Sequence, residues 1–214
     1  MRSELKILKA SDKKGKSKDL ETAVDSLARL GVATICDAMK KPRVVSRDIR
    51  PIGEVNKLAG PAITAVTRHG STSAVRAAVS AAMPGSVLVL KSMGKTEAAV
   101  FGGILATAAH RKRIAGVVLD GLVRDIDEIK RLRLPVFARG SFPYTTHRNV
   151  RGGLNVPLIC GGVKVSPRDI VVADSDGIVI VYPFEMSDII QAGKDVRRSE
   201  ASRLRAIMRD ASRS

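Results

Sequence analysis

The stretch from Phe101 to Gly140, FGGILATAAHRKRIAGVVLDGLVRDIDEIKRLRLPVFARG, decides the fold. A glycine pair, Gly102-Gly103, begins an apolar segment with helical spacing. Gly116–Leu119 then reads as a short buried strand, Ile126–Leu132 as a helix, and Val136–Ala138 as the next strand. Strands alternating with helices in this way argue for a largely parallel central sheet. Between the first strand and its helix stand Asp120-Gly121 and then Arg124-Asp125. A guanidinium presents a fork suited to a carboxylate or keto oxygen. A single Asp with waters holds Mg²⁺, which keeps much of its hydration shell. Both residues fall just past the carboxyl end of a strand, where open α/β sheets gather ligands. Local chemistry offers a competing role. Asp125 with Glu128 forms an N-cap and capping-box pair for the helix Ile126–Leu132, which leaves Arg124 on the surface.

Working outward, a helix is expected from Asp19, its N-cap, to a stop at Gly31, with Leu20, Val24, Leu27 and Leu30 on one face. A short helix over Ala33–Lys40 follows, then a strand over Pro61–Arg68, a helix over Ser71–Met83, a strand over Val87–Leu90 and a helix over Ala98–His110. Ser141–Asn155 reads as a long loop. Val156–Cys160, Val163–Val165, Ile170–Ala173 and Ile178–Tyr182 are hairpin material, with Asp176-Gly177 as the clearest turn. A charged helix from about Phe184 to Arg209 closes the chain. The expected fold class is α/β, with two β layers covered by helices. Residues 1–18 form a flexible basic arm and 19–214 a single catalytic domain.

At 214 residues the chain is long enough for a core that needs no disulfide or metal staple. It is 44% hydrophobic and 3% aromatic, with no Trp, a profile that fits a tightly packed α/β protein. Cys36 and Cys160 form no CxxC pair and read as two buried thiols in a reducing compartment. With no signal peptide and no run near the roughly 20 apolar residues of a membrane span, the expected location is the cytoplasm.

Lys and Arg number 37 against 21 acids, a net charge of +16. Such a surface binds phosphate without reading sequence, and it also concentrates small anions. Aromatics for base stacking are nearly absent and no nucleic-acid motif occurs, so nucleic acid ranks below small anions as a partner.

Gly102, Gly103, Ile104 and Leu105 open a helix, where unpaired amides attract a carboxylate or phosphate. Lys91 has no desolvating neighbours in sequence that would make it a Schiff-base lysine. His69, His110 and His147 lack ligand spacing. Gly152-Gly153 and Gly161-Gly162 lack the context of a dinucleotide-binding turn.

A spacing runs through the opening stretch: Gly103, twenty residues, Arg124-Asp125, two residues, then Glu128. With Leu58–Thr64 (LAGPAIT), PGSVLV from Pro84, PVFARG from Pro135 and Asp169–Val181, it resembles a known family over roughly residues 19–205. That family joins 4-hydroxy-4-methyl-2-oxoglutarate / 4-carboxy-4-hydroxy-2-oxoadipate aldolases to the regulator of ribonuclease activity A.

The resemblance implies a four-layer α-β-β-α sandwich with a mixed, partly parallel central sheet and a C-terminal helix. It implies a trimer, or a hexamer of two trimers, with sites between subunits. It implies a class II aldolase acting on 2-oxo acids, with oxaloacetate decarboxylation as a second activity. By the same analogy, the amides of Gly102–Leu105 receive the substrate carboxylate, Arg124 bonds its keto oxygen and Asp125 ligates Mg²⁺ or Mn²⁺. Glu200 in RRSEASRLR matches an acid that a neighbouring subunit supplies. Where the aldolases can carry a water-holding acid, this chain has Gly103, and Glu97, Asp120 and Asp127 are the acids available to compensate. The regulatory branch, a non-catalytic binder of a ribonuclease or RNA, lacks the aspartate found here at 125.

Overall fold

In the computed structural model, residues 18–94, 97–146 and 149–211 are described. Residues 1–17 of the expected basic arm lie outside them, and Lys18 is already helical. The chain runs α1 (18–30), α2 (Val32–Ala38), β1 (Arg50–Pro51), β2 (Leu58–Arg68), α3 (Ser73–Ala81) and β3 (Val87–Met93). Next come β4 (Ala99–Phe101), α4 (Gly103–Arg111), β5 (Gly116–Val123), α5 (Ile126–Leu132) and β6 (Val136–Ser141). After a loop come β7 (Gly153–Leu154), β8 (Leu158–Cys160), β9 (Val163–Val165), β10 (Ile170–Asp174) and β11 (Gly177–Val181). A 3₁₀ turn (Pro183–Glu185) then leads into α6 (Met186–Ala211).

Two expectations shift. The residues before Gly102 form strand β4 and not the start of a helix, because they extend along β5, with Ala99 opposite Leu122 and Phe101 opposite Val123. The last hairpin turns at Ser175-Asp176, since Gly177 already pairs with Asp174.

The main sheet is ordered β1-β6-β5-β3-β2-β10-β11. Its centre is parallel: β2 to β3, β3 to β5 and β5 to β6. Strands β10 and β11 join it antiparallel, and β8 and β9 form a separate two-stranded sheet among the described residues. Strand β2 belongs to both regions. Its first residues, Leu58–Pro61, pair with β10, and the rest, from Ala62, pair with β3.

The period of two in each strand sorts side chains into three cores and so creates the layers. In β3, Leu88 and Leu90 face α3, α4 and α5, while Val87 and Val89 face inward between the β layers. In β10, Val171 and Ala173 face that same interior, while Ile170 and Val172 turn to α1, α2 and α6. Helices, sheet, sheet and helices follow in order: a four-layer α-β-β-α sandwich. Gly31 separates α1 from α2 at φ 80°, a left-handed conformation that favours glycine, and the next amide, of Val32, donates to Asp174 Oδ2 at 2.8 Å.

Candidate active site

Parallel strands β4 and β5 end side by side, so the residues that follow each strand are neighbours. The amide of Arg124 donates to the Phe101 carbonyl at 3.0 Å and fixes this juncture. Gly102-Gly103 therefore lies against Arg124-Asp125, although 22 positions separate Gly103 from Asp125.

Asp125 occupies the N-cap position of α5 with φ 58° and ψ 48°, and its side chain makes no capping bond. The capping box expected from Asp125 and Glu128 does not form. Glu128 pairs with Arg131 at 2.9 Å instead. A left-handed backbone is uncommon for a residue with a Cβ, although Asp tolerates it better than most, and such conformations gather at functional sites. This one turns the carboxylate towards α4, where Oδ2 accepts the Gly103 amide at 2.9 Å. Arg124 Nε stands 3.5 Å from the same oxygen. Both side chains keep access to water, at 37% for Arg124 and 45% for Asp125.

Gly102 is required by proximity. Its backbone is extended, but a Cβ there would lie 2.8 Å from Asp125 Oδ2 and 2.9 Å from Arg124 Cγ. At Gly103 a Cβ would come within 3.0 Å of Glu128 Cγ. A longer side chain at 103 has to displace the Glu128 side chain.

Arg124 and Asp125 line two cavities. One, of about 320 Å³, is also walled by Ala99–Gly102, Ile104, Leu105, Thr72 just before α3, Arg76 of α3, and Thr145 and Thr146. The other, of about 260 Å³, adds Ile126 and Ser141–Pro143. These volumes suit a small acid. Among the described residues no three His, Cys, Asp or Glu side chains cluster to hold a metal. Asp125 is the acid that lines both cavities, a donor set that fits a hydrated Mg²⁺ bound by one carboxylate, water and substrate, not a protein cage.

Other expected residues lie elsewhere. Glu200 is on the exposed part of α6, a helix that packs against α2, so one chain alone does not bring it to Arg124. Glu97 and Asp127 are exposed. Asp120 is buried between the β layers, with 2% of its side chain accessible. It accepts Lys91 Nζ and Arg139 Nε, each at 2.5 Å, and the Gly161 amide at 2.9 Å. Burial pushes the Asp120 carboxyl up, but the hydrogen bonds from Lys91, Gly161 and Arg139 outweigh it and hold it below its ordinary value. Both Asp120 and Lys91 are thereby committed to a structural cluster. Sequence reasoning missed Thr72, Arg76, Thr145 and Thr146. A lone cation in the alanine-rich helix SAVRAAVSA was the available signal for Arg76.

Comparison with known proteins places these residues in a family context. The RraA-like family described as Aldolase/RraA matches residues 32–180. A protein of Halalkalibacterium halodurans named "Putative 4-hydroxy-4-methyl-2-oxoglutarate aldolase" is 34% identical over 173 residues, covering 81% of this chain and 82% of its own. The crystal structure of Streptomyces coelicolor RraAS2, described as an unusual member of the RNase ES inhibitor RraA protein family, superposes with a TM-score of 0.73 at 30% identity. It covers 85% of this chain and 96% of its own. The RNA-processing inhibitor RraA from Thermus thermophilis gives 0.65 at 27% identity, over 70% and 91%.

Proposed function

The chain belongs to the RraA-like family described as Aldolase/RraA, and from that premise we propose that it is a divalent-metal-dependent lyase cleaving 4-hydroxy-2-oxo acids, such as 4-hydroxy-4-methyl-2-oxoglutarate, to pyruvate. The observation that carries this reading is the Asp125 carboxylate held on the Gly103 amide beside Arg124, at the edge of a cavity sized for a small acid.

In this reading Asp125 holds Mg²⁺ or Mn²⁺, and the ion when bound supplies Lewis-acid stabilisation of charge on the substrate oxygens. The chain's own groups do the rest. The Gly103 amide is already bonded to Asp125, so of Gly102–Leu105 the amides of Gly102, Ile104 and Leu105 are left as the seat for the substrate carboxylate. As first-turn donors these amides have no intrahelical acceptor. Arg124, anchored through its backbone to Phe101, donates to the keto oxygen. Breaking the carbon–carbon bond beside that ketone moves an electron pair towards the oxygen, where a guanidinium already in place stabilises it without reorganisation. Decarboxylation of oxaloacetate develops the same charge, so it is the expected second activity. Glu200 enters from a neighbouring subunit of a cytoplasmic trimer or hexamer and holds the water that delivers or removes a proton.

The test is pyruvate release from 4-hydroxy-4-methyl-2-oxoglutarate and from oxaloacetate, followed by coupled NADH loss. Activity abolished by EDTA, restored by Mg²⁺ and lost in Asp125→Ala is the expected result. Turnover that survives both treatments refutes the metal role.

A second reading, a non-catalytic partner of a ribonuclease or of RNA, is favoured by the +16 charge and by what the two RraA structures are described as inhibiting. RNA and ribonuclease retention measured across a salt series decides it. Tight binding at 200 mM salt with no pyruvate formed replaces the lyase reading.

A further inference from the structure

A cavity in the other helix layer, between α1 and α6, shares no residue with those that Arg124 and Asp125 line. Gly193 brings the two helices together. A Cβ there would lie 2.6 Å from Leu30 Cδ1, so α6 rests directly on the end of α1. Side chains flanking this contact surround a space of about 470 Å³, within the range of small-ligand sites. From α1 come Ser26, Arg29 and Leu30. From α6 come Ile190, Lys194, Arg197 and Arg198. Their spacings put each set on one face of its helix.

Four of these side chains are cations, and no acid is among them. Lys194 and Arg198 stand four apart, where like charges weaken a helix. Asp195 answers one of them, taking Arg198 Nη1 at 3.0 Å. Lys194 forms no hydrogen bond or ion pair among the described residues. Arg29 has only a long contact, 3.4 Å from Nη2 to Ser26 Oγ, among those residues. Arg197 donates to the Leu30 carbonyl at 3.0 Å and so covers the negative end of α1, which would otherwise repel an anion. Cations that track a nucleic-acid backbone run in a row. Here they converge from two helices on one space, beside the apolar Leu30 and Ile190. That convergence suits a compact anion with several charges, because phosphate oxygens accept from both guanidinium and ammonium donors.

We propose that the α1–α6 cavity binds a diphosphate group, free or at the end of a larger molecule, with Arg29 and Lys194 as its main ligands and Arg198 beside them. Arg197 positions the site by closing the end of α1. This binding site is separate from the lyase site and does not depend on that reading.

The experiment titrates pyrophosphate, ADP and inorganic phosphate into the full chain by calorimetry, with EDTA present so that no metal carries the anion to Asp125. Arg29→Ala and Lys194→Ala change exposed helix positions and gain helix propensity, so folding is kept. Two controls remove a cation elsewhere: Arg111→Ala, exposed in the last turn of α4, and Arg124→Ala. Wild type is expected to bind pyrophosphate or ADP about tenfold or more tightly than phosphate, and Arg29→Ala and Lys194→Ala each to weaken that binding about tenfold, the ratio one charge-assisted hydrogen bond supplies. Both controls should stay within about twofold of wild type, as expected for distant screened charges. Tighter pyrophosphate assigns the free anion, and tighter ADP a diphosphate ester. No preference over phosphate, equal weakening in all four variants, or a loss confined to Arg124→Ala overturns the proposal. A single-stranded RNA oligonucleotide that needs Arg29 and Lys194, while pyrophosphate and ADP do not bind, replaces it with a nucleic-acid surface.

Discussion

The carboxylate of Asp125 reaches back from the start of α5 to accept the amide of Gly103 at the start of α4, at 2.9 Å. One side chain thus ties together the two helix openings that flank the larger cavity. Either helix could have formed without that bond, since α5 uses no side-chain cap and α4 begins with glycine.

The bond separates shape from charge at Asp125. In Asp125→Asn the amide oxygen can still accept from Gly103, but the negative charge is gone. Melting temperature should stay close to wild type, whereas pyruvate release should fall about a hundredfold or more, beyond what loss of an outer-shell partner costs a metal site. Parallel thermal melts and coupled assays check this. Activity within tenfold of wild type contradicts a role for the charge.

The two site glycines should respond differently to alanine. Gly102→Ala puts a methyl 2.8 Å from Asp125 Oδ2 and 2.9 Å from Arg124 Cγ, so the pair must move. We expect a loss of about 1–3 kcal/mol, typical of overpacking, and most of the activity. Gly103→Ala meets Glu128 Cγ at 3.0 Å, the stem of a side chain that can swing aside, and it gains helix propensity. Its stability should stay within about 1 kcal/mol of wild type. Urea titrations of both variants compare them directly.

Acid should act through Asp120. Its folded-state pKa lies below the ordinary carboxylate value, so its contribution is complete above about pH 4 and lost as pH falls through the lower folded value. Asp120→Asn should flatten that acid limb of stability. At neutral pH it should cost about 2–3 kcal/mol, less than a fully buried pair, because Lys91 and Arg139 keep 29% and 38% exposure. Stability curves from pH 2 to 7 for both proteins measure it. An unchanged acid limb contradicts the assignment.

The thiols should differ in reactivity. Burial, with the nearby Asp120 charge, pushes Cys160 up to about 12. Cys36 is also raised, by burial and then by Asp37 and Asp174, but it is only half-buried. Iodoacetamide at pH 8 should label Cys36 first and reach Cys160 only after unfolding, which peptide mass spectrometry reads.

Much of the architecture was legible because short apolar runs such as Val87–Leu90 and Ile170–Ala173, buried on both faces, recur between helical segments and turn signals. Helix α5 matched its expected bounds, Ile126–Leu132. The segment before Gly102 was misread because a short apolar run does not distinguish strand from helix, and only the pairing of Ala99 and Phe101 with β5 decides it. At the site, sequence pointed to Arg124, Asp125 and the glycine pair as a candidate group. The local rule that assigned Asp125 to a capping box failed, because its left-handed backbone aims the carboxylate across a tertiary contact. Arg76 and Thr72 were missed for a related reason: a lone cation in an alanine-rich helix was the one hint for Arg76, and what brings α3 to the cavity is the sheet order, not any spacing along the chain.

Strand β2 has a further consequence. The same eleven residues supply hydrogen bonds to β10 at one end and β3 at the other, so opening either half loosens the strand on which the other is paired. Three separate hydrophobic cores would ordinarily suggest three independently melting units. Here they share a backbone seam, and denaturation should proceed as one cooperative transition with the amides of Ala62–Ala65 among the slowest to exchange with deuterium.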